Sequence, residues 1–457
     1  MRENSGLLTD LYELTMAAGY LQTRFEARAT FELFVRHLPP HRNYLVAAGL
    51  EQALAFLSNV NFSPEEIEYL REHPVFRHIR PEFFNYLATF RFTGDVWAMP
   101  EGTLAFPGEP LVRVTAPIIE AQIMETYLLA TLSYQTMIAS KAARVVTAAR
   151  GKQVVDFGAR RAHGSEAGLF AARAAAIGGC AGTSNVLAGQ QFGIDTYGTQ
   201  AHSWIMAHER ESAAFRNFLE AFPEHAVLLL DTYDVRNAAR EIIAAGRKPA
   251  GVRLDSGDLV KDSRWVRREL DRAGWKDVKV FASGDLDEIR IAKLLAQGAA
   301  IDAFGVGTAL ATPGDAPHLN LIYKLVEVER DGRVLEAAKL TRAKTTFPGR
   351  KQVLRYTKKS SGEFQADKVV LESEMENGGE ALLVEVMRQG QRVAPKEPIS
   401  ALRERCMAGV ARLPKRYRQL QRPAVYPVRY SKRLHGLLDD LRRRVQGARL
   451  RGKSAGR

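Results

Sequence analysis

Cysteine is scarce: Cys180 and Cys406 are the only two in 457 residues. Two thiols cannot complete a structural zinc site, which takes four ligands, and a reducing compartment argues against their pairing. Long apolar runs are missing as well. The longest uncharged stretch, residues 174–194, is rich in Gly, Ser, Asn and Gln and too polar for a bilayer core, so neither a transmembrane helix nor a membrane partner is expected. The N-terminus MRENSGLLTD lacks the basic start, apolar centre and small-residue cleavage site of a signal peptide, which makes the cytoplasm the expected address. No P-loop, no GxGxxG dinucleotide turn and no GxSxG nucleophile elbow is expected to serve the chemistry. What remains is a large globular chain, 46% hydrophobic and 26% charged.

A net charge of +13 invites a nucleic-acid partner. The excess is local: residues 412–457 hold fifteen Lys and Arg against two Asp, which leaves positions 1–411 with 50 of each sign. Any partner argued from charge therefore concerns that segment alone. Nucleic-acid binding through the basic C-terminus is the alternative from another functional class. The run after Leu441 carries no motif and reads as a solvated basic tail, so no nucleic acid is expected.

Apolar spacing over residues 11–21 predicts a helix with Thr9 or Asp10 as N-cap, and ATFELFVRHL then alternates as a strand. Ser63-Pro64-Glu65-Glu66 opens another helix. Short alternating runs between Phe90 and Thr115 suggest antiparallel strands. Residues 118–150 are long, apolar and Ala-rich, as buried helices are. From there to about residue 312, strand-length runs alternate with helical segments: VVDFGARR, GIDTYGTQ, AVLLLDTYD, GVRLDSGDL, VKVFASGD and AAIDAFGVGT. Continuous apolar strands alternating with helices call for a parallel sheet covered on both faces, commonly closed as a barrel. From Leu321 to Leu371 alternation returns, with Asp331-Gly332 as a hairpin turn, and these strands are expected to rejoin the N-terminal ones. The expected fold is α/β: an irregular (β/α) barrel plus an open-faced α/β sandwich domain. Its division is 1–116 sandwich, 117–320 barrel, 321–411 returning strands and 412–457 basic segment.

Polar residues gather at the end of each barrel run, where such folds build their sites. Asp156-Phe157-Gly158-Ala159-Arg160-Arg161 sets two guanidinium forks beside a flat ring, a combination suited to a planar anion. Gly182-Thr183-Ser184-Asn185 can start a helix with a hydroxyl at its cap and free N–H groups facing an anion. His202, in GTQAHSW, is a general base, a phosphoryl acceptor or a hydrogen-bonded core histidine, the last being the commonest fate of a lone His. Arg253, Asp255, Ser256, Gly257 and Asp258 share one strand end, where the carboxylates suit Mg²⁺ or ribose hydroxyls. Ser283-Gly284-Asp285 repeats the theme, and Gly305, Gly307 and Thr308 offer bare amides to a phosphate. Together they imply a sugar phosphate that also carries a planar acidic ring.

In order and spacing, LLTDLYELTMAAGY, FELFVRHLPPHRNYLVAAGL, DFGARRAHG, GTSNVLAG, GTQAHSW, LLLDTYD, GVRLDSGDL, GVGT and KTTFPGRKQVLR resemble the nicotinate phosphoribosyltransferase family, of the type II phosphoribosyltransferases, over most of the chain. The resemblance implies transfer of nicotinate to the ribose 5-phosphate of phosphoribosyl pyrophosphate, giving nicotinate mononucleotide and pyrophosphate in NAD biosynthesis. ATP would be a co-substrate, hydrolysed through phosphorylation of His202. Tyr12, reaching across a homodimer interface, and Phe157 would stack the pyridine ring; Thr199 and Arg253 would contact nicotinate, with Arg160 and Ser184 nearby. Asp255, Asp285, Gly284, Gly305, Gly307 and Thr308 match positions that hold ribose and phosphates, with Arg161, Ser256 and Gly257 beside them. Mg²⁺ would enter with the substrate, with Asp255 a candidate ligand. A serine at 184 can donate to a carboxylate where an acidic side chain would repel it, which favours nicotinate over nicotinamide. Quinolinate, with a second carboxylate, would call for more cations, and enzymes acting on it lack the GTQAHSW type of string.

Overall fold

The structure, a computed structural model, describes residues 4–341, 344–374, 378–422 and 424–454, with side chains described as far as residue 447. At its centre six strands lie parallel in the spatial order Gly182–Thr183, Gln153–Asp156, Ala303–Val306, Lys279–Ala282, Gly251–Leu254, Val227–Leu229. Helices follow the strands and cover the sheet, which is why most strand residues are apolar and buried. The sheet is barrel-like. Its outer strands, Gly182–Thr183 and Val227–Leu229, do not pair with each other.

The seam between them corrects one expectation. GIDTYGTQ, expected as a strand, forms a single bridge, Thr183 to Thr196, flanked by main-chain bonds of Thr183 with Asp195 and Tyr197. On the other side the chain reaches the sheet by a side chain: Gln200 Oε1 accepts from the N–H of Leu229 at 3.2 Å. The run is polar and enters through a left-handed Gly193 (φ 66°), so it closes the seam without becoming a ladder.

Both ends of the chain build a second body. A seven-stranded sheet runs Arg333–Glu336, Leu321–Arg330, Arg28–Val35, Pro110–Pro117, Asp95–Ala98, Val384–Arg388, Gln391–Arg392. Strand Arg28–Val35 lies antiparallel between Pro110–Pro117 and Leu321–Arg330. Asp331 and Gly332 turn the hairpin with φ of 52° and 69°, the positive pair a type I′ turn requires. Strands Lys351–Thr357 and Phe364–Leu371 do not extend this sheet. They form a separate one with Glu380–Ala381 and Val428–Tyr430, tied to the first through Arg113, which donates to the Lys351 carbonyl at 2.9 Å, and a buried Lys351–Glu32 ion pair at 2.8 Å.

Three local readings change. Ser63 caps its helix in a full capping box with Glu66, as spacing predicts. Asp10 sits at the N-cap of Leu11–Gln22, but its carboxylate accepts from Thr126 Oγ1 (2.8 Å) rather than capping the helix. The expected C-terminal tail is instead the second half of a helix, Lys432–Ser454, anchored by buried Leu434, Leu438 and Leu441. Its arginines at 442, 443 and 444 pair with Asp439, Asp440 and Glu336. Residues 447–454, GARLRGKS, do have the GxxxxGK[ST] spacing of a P-loop, although no P-loop is expected from the sequence reading. They lie inside that helix, where backbone N–H groups are engaged by i−4 carbonyls and follow no strand, so no phosphate cradle forms. No helix among the described residues is long and apolar enough to cross a membrane.

Candidate active site

Arg253, the third residue of strand Gly251–Leu254, is the hub of the carboxyl end of the barrel. Its Nε donates to Ser283 Oγ (2.8 Å), Nη1 to Thr199 Oγ1 (2.7 Å) and the Gln200 carbonyl (3.2 Å), and Nη2 to Asp255 Oδ1 (2.5 Å). Four of five guanidinium hydrogens are thereby used, which leaves one on Nη2 for a ligand. Asp255 also accepts from the Ser283 hydroxyl at 2.5 Å. Burial opposes its ionisation, but Ser283 and Arg253 outweigh that and hold its carboxyl below the ordinary range.

The next strand end shapes the floor. Gly284 has φ 84°, and a Cβ there would stand 1.8 Å from the Asp255 carbonyl oxygen. Asp285 follows at φ 45°, also left-handed, and Arg290 Nη1 donates to the carbonyls of both residues at 3.1 and 3.3 Å. Gly257 turns the neighbouring loop at φ 77°. Asp258, a candidate for Mg²⁺ or ribose, instead caps helix Leu259–Arg272 by accepting from the Lys261 N–H at 3.1 Å and pairs with its ammonium at 3.0 Å.

Phe157 follows strand Gln153–Asp156 and lies across Gly305, where a Cβ would come within 2.4 Å of the ring. Gly305 is buried within its strand, so its missing side chain makes room for Phe157. Arg253 Cζ is 5.8 Å from the Phe157 ring centroid, a cation beside an aromatic face. Arg160 and Arg161 occupy the 3₁₀ turn Ala159–Arg161, exposed and without an ionic or hydrogen-bonding side-chain partner among the described residues. Gly307 precedes the one-turn helix Thr308–Ala311. The cap after Ser184 is Asn185, whose side chain accepts from the Ala188 N–H (3.1 Å); the Thr183 hydroxyl faces inward to Asp156 instead.

His202 begins a short helix, and its Nδ1 lies 3.1 Å from Thr232 Oγ1. Beside it stands a residue that the sequence reading passed over. Asp231 Oδ2 accepts from the Asp255 N–H (3.0 Å) and Ser256 hydroxyl (2.5 Å), while Oδ1 is buried without a partner. An orphaned buried carboxylate oxygen among further carboxylates suits a hard cation or a sugar hydroxyl. The signal was available in the sequence, since LLLDTYD ends an apolar strand in an acid like its neighbours. Among the described residues no three His, Cys, Asp or Glu side chains converge into a metal cage, so a cation here would share its coordination with a substrate. Tyr12 does not join this cluster in the single chain: it is 47% exposed on helix Leu11–Gln22, with Asp10, Glu13 and Glu125 for neighbours.

A cation hub, a planar face, several carboxylates and glycine-rich turns at the carboxyl end of a parallel barrel define an α/β-barrel enzyme site for small anionic substrates. The nicotinate phosphoribosyltransferase N-terminal domain model matches residues 7–133, the family model residues 152–361 and the C-terminal domain model residues 375–438. A nicotinate phosphoribosyltransferase of Mycobacterium tuberculosis is 46% identical over 452 residues, covering 97% of this chain and 95% of the relative. One of Bacillus subtilis is 41% identical over 385 residues, 82% and 78% of the two chains. The crystal structure of human nicotinic acid phosphoribosyltransferase superposes with a TM-score of 0.83 at 29% identity, covering 95% of this chain and 99% of that one. The chain belongs to the nicotinate phosphoribosyltransferase family.

Proposed function

We propose that this protein joins nicotinate to the ribose 5-phosphate of phosphoribosyl pyrophosphate, releasing pyrophosphate and supplying nicotinate mononucleotide to NAD biosynthesis. The observation that carries the reading is the Arg253 hub, with one free guanidinium hydrogen beside the Phe157 face. The ring carboxylate would take that hydrogen, and the Ser184 hydroxyl would donate a second bond. Phe157 holds the ring so that its nitrogen meets the anomeric carbon as the carbon–oxygen bond to pyrophosphate breaks. Positive charge growing on the ribose is met by Asp255 and Asp231, whose carboxylates are fixed by hydrogen bonds before the reaction. Asp231 and Asp255 would hold Mg²⁺ together with substrate oxygens, where it would supply positive charge to the leaving pyrophosphate.

ATP coupling belongs to the same proposal. In the tautomer whose Nδ1–H donates to Thr232, His202 Nε2 carries the lone pair and can attack the γ-phosphorus of ATP, expelling ADP. Water later takes the phosphoryl group as phosphate and restores the imidazole. The homodimer is proposed on Leu11 and Tyr12, two exposed apolar side chains at the start of one helix, with Tyr12 supplying the second ring face to a neighbouring subunit. The test is incubation with nicotinate, phosphoribosyl pyrophosphate, Mg²⁺ and ATP. Nicotinate mononucleotide and ADP are expected, and His202→Ala should abolish ADP formation while leaving slower, uncoupled transfer. Turnover of nicotinamide as efficient as that of nicotinate would sink the assignment of Ser184.

A further inference from the structure

Asp156 ends strand Gln153–Asp156 and is 1% exposed, yet no cation pairs with it among the described residues. A buried carboxylate without a cation is costly and calls for a reason. Its two oxygens serve two different segments. Oδ1 accepts from the N–H of Gly158, in the loop that carries Phe157, at 2.8 Å. Oδ2 accepts from the hydroxyl of Thr183, at the end of the strand that leads to Ser184, at 2.7 Å. Its main-chain carbonyl accepts from the Ser184 N–H, also at 2.8 Å.

Space around the first arm is closed. A Cβ on Gly158 would meet Ala311 at 2.6 Å, Asp156 Oδ1 at 2.9 Å and the Gly307 carbonyl at 3.1 Å, so the loop cannot shift toward the phosphate-side turn. The second arm is fixed from behind, because the Asn185 N–H donates to Thr183 Oγ1 at 3.0 Å. A carboxylate accepts from both donors at once. An amide could accept from the Gly158 N–H with its oxygen, but its NH₂ would then donate to Thr183 Oγ1, reversing the second bond and turning the threonine hydroxyl hydrogen away from residue 156.

We infer that Asp156 is a positioning residue, acting through Gly158 and Thr183, which sets the separation between the Phe157 ring and the Ser184 hydroxyl and with it the preference for a ring carboxylate over a ring amide. The inference rests on the nicotinate reading above. It gives a role to a carboxylate that touches no substrate in that reading.

The experiment compares Asp156→Asn, Thr183→Val and Thr183→Ser with wild type, measuring kcat and KM for nicotinate and nicotinamide alongside thermal unfolding. Loss of one arm should raise KM for nicotinate about tenfold, the scale of one buried hydrogen bond, with kcat changed far less. The preference for nicotinate over nicotinamide should narrow by a similar factor. Thr183→Ser restores the hydroxyl and should behave as wild type, which a merely space-filling threonine would not predict. If Asp156→Asn fails to fold, the Val and Ser variants at 183 decide the question. Equal kinetics for those two variants would overturn this inference alone. A wild-type protein inert toward nicotinate would overturn the functional reading and this inference together.

Discussion

Gly284 shows how much of the site depends on an absent atom. At φ 84°, with the Asp255 carbonyl 1.8 Å from where a Cβ would be, alanine has neither the conformation nor the room. Gly284→Ala should displace Asp255 and Asp285, cost roughly 2 kcal/mol or more in a denaturant titration, and lower kcat/KM by about two orders of magnitude. A variant of normal stability and activity would mean that the turn is free to relax. Gly305 calls for a second test, since its missing side chain is filled by the Phe157 ring. Gly305→Ala should push the Phe157 ring aside and raise KM for nicotinate. Legibility differs between these two glycines. Glycine and acid at each strand end can be read from spacing, and Gly284 does press against Asp255. The contact of 305 with 157 is set by the register of two parallel strands 150 residues apart, Val306 opposite Asp156, which no local pattern encodes. Asp231, by contrast, is legible as an acid at the end of an apolar strand, and only its oxygen without a partner needs the structure.

Between elements, the strongest tie is a buried ionic cluster. Lys141 and Arg144, on helix Glu125–Ala148, pair with Glu288 at the start of helix Glu288–Ala296, at 2.5 and 3.0 Å. Asp315 accepts from Arg42 at 2.7 Å and Lys141 at 3.0 Å. Burial opposes ionisation of both acids, yet the cations prevail: Glu288 lies below its ordinary range and Asp315 falls to about 2. Removing the Glu288 charge leaves three buried cations with one acid, so Glu288→Gln should cost about 3 kcal/mol at pH 7. The sign with pH follows from the lowered values. Stability from these carboxylates is complete above their unfolded pKa near 4 and is lost as pH falls through the folded values toward about 2. Urea titrations should therefore show the gap between variant and wild type shrinking from pH 6 to pH 3; a gap independent of pH would refute the charge argument. In the sequence, Ala-rich spacing marks that helix as buried but gives no partner for its cations, because Glu288 lies 144 residues from Arg144. The seam at 194–200 was misread for the opposite reason: its length suits a strand, but a side chain, Gln200, makes one of its two connections.

At the scale of the molecule, positions 1–411 are balanced in charge, and the C-terminal excess is spent partly on Asp439, Asp440 and Glu336, which leaves assembly as the larger question. Within one chain Phe157 is the aromatic face beside Arg253, while Tyr12 stands 47% exposed on a helix that packs against the sandwich body. If the second ring face comes from another subunit, each site is built from two chains, and a two-fold dimer carries two such sites. Two defective chains can then repair each other. Tyr12→Ala and Arg253→Ala should each be nearly inactive with nicotinate, for different reasons. Unfolded together in equal amounts and refolded, half of the dimers should be mixed. In a mixed dimer one site takes Tyr12 from one chain and Arg253 from the other, both intact, while the second site carries both defects. Recovered activity should approach about a quarter of wild type, with a KM for nicotinate equal to that of wild type. If Tyr12 instead served its own chain, every site would hold exactly one defect and mixing would restore nothing. Sedimentation of the refolded mixture as a dimer makes that negative result decisive.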